Sequence, residues 1–549
     1  MPKILNHLDG VVYTAPDRAE FYFKEGAWID RTIGDQLRYT AARFPERVAF
    51  ACEGRTITFA ELDVWSDQFG AWLIDQGMRV TDRAMFQMGT VIETAVAVLA
   101  CFKVGVLPVC AIPQYREIEI SKLAAITSPR AYFVQADFDS KFDQAAFARK
   151  MAAECGMSHV FVARDGTAGD PWMACRAIAP AIARDKVSAV KLGTEDVVAL
   201  QLSGGSTGVP KVIPRYHAEY LGHTHHWCQR LGMSADEVCL WSLPLLHNAG
   251  MLWAINRTVL YGSTMVLMPR FDVRQCFEQI QTWKVTHCFT IGPLVSAITA
   301  FPDVEKYNTS SVKFFNTLQG AEQIEARTGL CSGNMYGITE GLLLQNALDD
   351  SEALRHRTVG CASTPFDEIR LKAPDTDDDV PLGSIGELCF RGPSSVRGYF
   401  NSPEANATAF TNDGFFRTGD LVSAQVIGAQ LAYRFEGRMK DNINRGGEKF
   451  GTEELEQLMV QHPAIADGRV VAMPDPDYGE KACAYLVARG AATLPTVKEL
   501  GEFLTSRGLA KYKCPERIEA IDAFPVTRVG KLDRAKLRAM VAEKMAGER

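Results

Sequence analysis

Along most of the chain, segments of helical periodicity alternate with short β-branched runs, and no other feature narrows the possible folds as much. Helical patterns at Ala60 to Gln76 and Val273 to Trp283 alternate with strand-like runs such as Ala131 to Val134 and Thr286 to Ile291. Such alternation predicts an α/β architecture whose sheets are mainly parallel. The chain, 549 residues long, is too long for one core, because domains of about 100–200 residues are usual and cores stop growing near ~300. An Asp-rich, turn-prone segment from Pro374 to Leu382 separates two strand-like runs and reads as a surface loop inside a β-rich subdomain. The main boundary is expected at Phe435 to Asp441. There a strand ends, polar residues follow, and a Gly-rich stretch leads to a helix starting near Thr452-Glu453-Glu454. The expected fold is therefore a large N-terminal domain, residues 1–437, of parallel sheets layered with helices plus a β-rich subdomain, and a small α+β C-terminal domain, residues 438–549.

Composition matters here mainly for what it excludes. A hydrophobic share of 47% with 23% charged residues can bury a large interior. The net charge of −7, without a basic run, argues against nucleic acid or an anionic membrane surface as partner. The first residues lack an apolar signal core, and the apolar stretch from Thr94 to Pro113 is broken by Lys103 and Gly105. It reads as a buried helix running into a strand, so a cytoplasmic protein without membrane partners is expected. The fourteen cysteines contain no CxxC pair and read as reduced, mostly buried thiols. His223-Thr224-His225-His226 reads as an exposed or core-edge helix segment rather than a metal site.

The first segment with chemical content is Leu202-Ser203-Gly204-Gly205-Ser206-Thr207-Gly208-Val209-Pro210-Lys211, entered from the strand-like run Val197 to Leu202. Its small residues let amides converge on phosphate oxygens, and Lys211 supplies charge. It is not a Walker A loop, which needs Gly-Lys-Ser/Thr before a helix. Taken alone, it is equally a phosphate cradle or a flexible surface loop. Further along come Tyr336-Gly337-Ile338-Thr339-Glu340, Gly386-Glu387-Leu388, Thr418-Gly419-Asp420, Gly437-Arg438-Met439-Lys440-Asp441 and Gly530-Lys531. In this order and spacing the set resembles the adenylate-forming superfamily of acyl-CoA synthetases, peptide-synthetase adenylation domains and luciferases, over nearly the whole chain. Ile443-Asn444-Arg445-Gly446-Gly447-Glu448-Lys449 and His247-Asn248 resemble most the stand-alone aryl-acid AMP ligases of siderophore biosynthesis, which activate 2,3-dihydroxybenzoate or salicylate.

The resemblance implies roles residue by residue. Ser203, Gly204, Gly205, Ser206, Thr207, Gly208 and Lys211 would hold the β- and γ-phosphates of ATP. Glu340 would bind Mg²⁺, Thr339 would donate to the α-phosphate, and Tyr336, beside Gly337, would stack on adenine. Gly320, Ala321 and Glu322 would lie along the adenine and acid pockets. Asp420 would accept from the ribose hydroxyls, and Arg438 would contact the ribose or phosphate side. Lys531 would bridge the acyl and phosphate oxygens as two anions meet in the first half-reaction.

His247 and Asn248 would form a wall of the acid pocket. Amino-acid-activating relatives commonly carry Asp where Asn248 stands, so a neutral amide here favours an aryl acid over an α-amino acid. Ala249-Gly250-Met251-Leu252-Trp253 and Ile338-Thr339-Glu340 depart from the dihydroxybenzoate pattern, which leaves salicylate, anthranilate or another substituted benzoate open. Met251 and Trp253 read equally as core or as pocket lining. Lys440 would be the hinge that brings Arg445, Gly446 and Gly447 to a pantetheine tunnel. The implied cofactors are ATP and Mg²⁺, and the implied partners are a small aromatic carboxylic acid and an aryl carrier protein's phosphopantetheine, or else free CoA. An aryl-CoA ligase and a catalytically idle nucleotide-binding protein are the alternatives.

Overall fold

The computed structural model describes residues 3–167, 169–203, 210–374, 376–439, 443–525 and 532–548, and for residues 292, 293, 438, 449 and 453 the backbone alone. Two large sheets carry the N-terminal part. One has six strands in the order His159–Ala163, Ala131–Gln135, Arg83–Gln87, Leu107–Cys110, Val197–Ser203 and Lys211–Tyr216, all neighbours parallel except the last pair. The other has nine, with a parallel centre running from Ser332–Gly337 through Phe314–Thr317, His287–Thr290, Val238–Trp241 and Thr264–Leu267 to Val48–Cys52 and antiparallel strands at both edges. The expected alternation is present. Val273–Trp283 forms the expected helix to the residue, while Phe59–Asp75 and His287–Thr290 differ from the sequence reading by a residue or so at their ends.

Why the sheets lie together is plain from the helix Ile92–Val104. Every residue in it is buried, and its core cluster joins Phe86 and Phe133 of the six-stranded sheet to Phe50 and Trp241 of the nine-stranded one. A helix apolar on all sides can only sit inside. Its single lysine, Lys103, donates to Asp63 (2.6 Å) and Asp67 (2.7 Å), which satisfies a charge that could not otherwise be buried. Gly105, in the left-handed region at φ 70°, ends the helix and turns the chain into Leu107–Cys110. The reading of this stretch as a helix feeding a strand is borne out. Among the described residues no helix is long and apolar enough to cross a membrane.

An antiparallel sheet of Glu368–Lys372, Ile385–Arg391, Phe416–Ile427 and Gln430–Arg438 forms the β-rich part, with the Asp-rich segment joining its first two strands. A separate α+β C-terminal domain follows, with a five-stranded sheet and the helices Glu453–Met459, Val497–Ser506 and Arg534–Gly547. The Gly-rich stretch leads, as expected, into the helix Glu453–Met459, and on the way it forms a hairpin of Ile443–Arg445 and Glu448–Phe450. Gly446 and Gly447, at φ 59° and 95°, form its two-residue turn, and only glycine takes two successive positive φ values cheaply. The C-terminal domain meets the rest through Lys513, whose ammonium lies 2.7 Å from Glu119 and 3.1 Å from Glu454, and through Lys122 with Glu454 at 2.7 Å.

The histidine cluster lies, as expected, in a helix, His217–Arg230; of the two placements read from sequence the exposed one fails, since His223, Thr224 and His226 are buried and His225 is half-buried. All fourteen cysteines are free thiols; Cys155, Cys331 and Cys361 are half-buried and the others buried.

Candidate functional site

A cavity of about 1300 Å³ opens where both large sheets, the β-rich sheet and the C-terminal hairpin converge. Parallel sheets place their ligand sites beyond the strand ends, and the lining follows that rule. Ser203 closes one strand and Lys211 opens the next, paired in register, so both sit at the neck of the Gly-rich loop and both line the cavity. Gly204, Gly205, Ser206, Thr207 and Gly208 lie outside the described residues, as do Lys440 and Lys531.

Lys211 stands 4.5 Å from the centre of the Tyr399 ring, and the Tyr399 hydroxyl donates to Glu340 at 3.0 Å. Burial, with the Glu340 carboxylate beside it, pushes the Tyr399 hydroxyl pKa far up, so the tyrosine stays a donor. The backbone bearing Thr339 and Glu340 is pinned by the buried Arg215, which donates to the carbonyls of Thr339 (3.1 Å) and Ser394 (3.4 Å). Gly341 makes this possible. At φ 120° a Cβ there would come within 1.7 Å of the Ser394 carbonyl oxygen.

On a neighbouring wall, the Tyr336 hydroxyl donates to Asp420 at 2.7 Å, and the Tyr336 ring lies 6.2 Å from Phe435 at a near-parallel 29°. Tyr336, Gly337, Asp420 and Phe435 all line the cavity. Arg438 pairs with Asp420 through the backbone, and its side chain lies outside the description. Gly320, Ala321 and Glu322 do not reach the cavity wall; the preceding Leu318 and Gln319 do. The chain turns at Gly320 (φ 89°) into the helix Ala321–Thr328, whose first amide donates to Asn334, and this turn buries Ala321 and carries Glu322 to the surface.

His247 and Asn248 line the cavity among Leu243, Ala249, Leu252 and Phe289. Asn248 accepts from the Tyr220 hydroxyl at 2.6 Å. Met251 and Trp253 resolve as core: both are wholly buried and off the cavity wall, with Trp253 packed 4.9 Å from Trp227. From the C-terminal domain, Asn444, Gly446, Gly447, Glu448 and the turn at Tyr478 to Glu480 face the cavity. Arg445 is drawn aside. Its guanidinium grips Glu516 at 2.8 and 3.1 Å and lies 4.1 Å from the Tyr478 ring. Glu448 keeps some surface but sits deep in the wall, and desolvation pushes its carboxyl up to about 7.

Sequence reasoning missed Arg215, Tyr399, His223, Trp227 and Glu448. Arg215 and Tyr399 act through a strand and a loop distant from the motifs they brace, and no local pattern marks them. Among the described residues no group of three or more His, Cys, Asp or Glu could hold a metal. One carboxylate, Glu340, fits a Mg²⁺ carried largely by phosphates and water.

A family model described as "AMP-binding enzyme" matches residues 37–400, and one described as "AMP-binding enzyme C-terminal domain" matches residues 454–531. The 2,3-dihydroxybenzoate-AMP ligase of Bacillus subtilis (strain 168) is 35% identical over 539 residues, covering 96% of this chain and 97% of that protein. A salicylyl-CoA synthase / salicylate adenylyltransferase of Streptomyces sp is 31% identical over 551 residues, covering 98% of both. Among solved structures, apo MbtA of Mycobacterium smegmatis superposes with a TM-score of 0.71 at 29% identity, over 96% of this chain and 98% of that one.

Proposed function

This chain belongs to the AMP-binding enzyme family and is an ATP-dependent adenylating ligase of its aryl-acid branch, and from that premise we propose that it converts a substituted benzoate to its acyl adenylate and passes the acyl group to a pantetheine thiol. The observation that carries this reading is the single cavity on which Lys211, Glu340 and the Tyr336–Asp420 pair meet the neutral Asn248 wall. In the reading, Ser203, Lys211 and the loop between them hold the outer phosphates, Thr339 the α-phosphate, and Asp420 with Tyr336 and Arg438 the nucleoside. Mg²⁺, when bound at Glu340, neutralises phosphate charge.

The acid lies against His247 and Asn248. One of its carboxylate oxygens attacks the α-phosphorus, the bond to the β-phosphate oxygen breaks, and pyrophosphate leaves. Lys531 spans the two anions as they close, because a fixed cation is worth most where negative charge converges. A thiolate then attacks the acyl carbon and AMP departs. For this second step the C-terminal domain, taken as 438–549, turns about Lys440 and presents Arg445, Gly446 and Gly447 to the pantetheine. The hairpin's place on the cavity wall supports that arrangement. An ATP-driven reaction of this type belongs in the cytoplasm.

Exchange of labelled pyrophosphate into ATP, driven by a panel of benzoates, tests the reading. Absence of exchange with every carboxylic acid, alongside nucleotide binding, would leave only an idle nucleotide-binding protein. The similarity to a salicylyl-CoA synthase supports a second reading in which free CoA is the acceptor. Acid- and CoA-dependent AMP release without any carrier protein would select it.

A further inference from the structure

One face of the helix His217–Arg230 carries a pattern that the mechanism leaves unused. Tyr220, His223 and Trp227 follow at helical spacing, and Tyr220 meets Asn248 across the gap. His223 and Trp227 are only 5% and 2% exposed, yet both line the cavity.

Arg215 fixes the state of the imidazole. Its guanidinium nitrogen lies 3.3 Å from His223 Nδ1 and can only donate, so Nδ1 accepts and the ring proton resides on Nε2. The competing carboxylate of Glu219 lies 3.9 Å from Nδ1, beyond hydrogen-bond reach. Burial, reinforced by the Arg215 cation and His226, drives the His223 pKa well below its ordinary value, which keeps the ring neutral. The Nε2–H group has no acceptor in the protein, and neither has the indole Nε1–H of Trp227. Asn248 uses its carbonyl oxygen on Tyr220, so its amide hydrogens complete the set. Buried donors are almost always paired. Here both unpaired donors belong to residues that line a cavity large enough for a ligand, and the Asn248 carbonyl oxygen on the same cavity is already engaged.

We propose that His223, Trp227 and Asn248 form a donor-only selectivity patch that accepts aryl acids carrying oxygen substituents and disfavours amino-substituted and unsubstituted rings. This rests on the aryl-acid reading above. A phenol or methoxy oxygen offers lone pairs to these N–H groups. An aryl amine turns its own hydrogens toward them, its lone pair being delocalised into the ring. The apolar neighbours Leu252 and Phe289 suit the ring faces.

The experiment compares kcat/KM for pyrophosphate exchange with benzoate, the three hydroxybenzoates and the three aminobenzoates. Sites built to hydrogen-bond a substituent discriminate strongly, so the favoured hydroxybenzoate should exceed benzoate and its amino counterpart by about tenfold or more. Trp227→Phe and His223→Phe should each collapse that ratio toward unity, and His223→Asn, which restores an N–H donor, should recover part of it. A benzoate or aminobenzoate used as well as every hydroxybenzoate overturns the patch while leaving the enzyme reading intact. Variants that slow all acids in the same proportion overturn it too, since packing alone would do that. Failure of every acid to support exchange removes the aryl-acid reading itself, and the patch with it.

Discussion

The wall around Asp420 and Glu340 and the wall around Asn248 are built by different means. The first is assembled from short contiguous motifs on loops and strand ends and is braced by charged hydrogen bonds such as Tyr336 to Asp420 and Tyr399 to Glu340. The second is one face of a buried helix set against a turn, presenting neutral groups and aromatic rings to the cavity. The contrast separates what every acid needs from what one acid needs. Changes on the first wall should lower turnover with all acids alike, and changes on the second should alter their ranking.

The sharpest way to break that separation is through Arg215, which serves both walls by holding the Thr339 carbonyl and His223. Arg215 is also ion-paired with Glu219, both side chains buried, so Arg215→Met strands that carboxylate, and removing one partner of a buried pair costs about 3–5 kcal/mol. Thermal melting should show a marked loss of stability, and a variant that melts like wild type would show the pair to be dispensable. Lys531→Ala should slow acyl-adenylate formation about 10²–10³-fold, the scale seen when a transition-state donor is removed. Every acid should suffer equally, while transfer from a supplied acyl adenylate to a thiol persists; quenched-flow assays of the separate half-reactions decide this.

On the second wall, Asn248→Asp sets a carboxylate beside a buried phenol and an anionic substrate. Benzoates should lose about tenfold or more in kcat/KM, unevenly across the panel, as one repelled pocket contact does. Tyr399→Phe removes one hydrogen bond to Glu340, worth about 1 kcal/mol net, so a several-fold loss is expected with a raised Mg²⁺ requirement and no change in acid ranking. The smallest effect concerns Glu448. Its carboxyl is raised in the folded protein, so the contribution of the hairpin contact is complete below the ordinary carboxylate range and is lost as pH rises through about 7. Distance measurements between labels on the two domains should show looser contact above that pH, and Glu448→Gln should flatten the dependence.

The predicted alternation of elements, the helix Val273–Trp283 and the burial of the 92–110 stretch were readable because periodicity reports burial directly. Lys211, Tyr336, Glu340 and Asp420 were readable as an ordered set, and the fold brings them to one cavity. The bracing partners were not readable. Arg215 and Tyr399 act across long sequence separations on residues whose own motifs say nothing of them. The hairpin at Gly446-Gly447 did carry a local signal, since adjacent glycines are a favoured pair for a two-residue turn. His223 and Trp227 resembled ordinary helix residues, and only the packing of that helix against the cavity gives them a chemical direction.

The cation of Lys513 is enclosed between Glu119 on one side of the domain joint and Glu454 on the other. Lys513 and Glu454 belong to the same domain, so parting the joint would leave that pair intact and strip Glu119, buried on the other side, of its counter-charge. The joint is thus held by a buried charge contact whose loss would fall on Glu119.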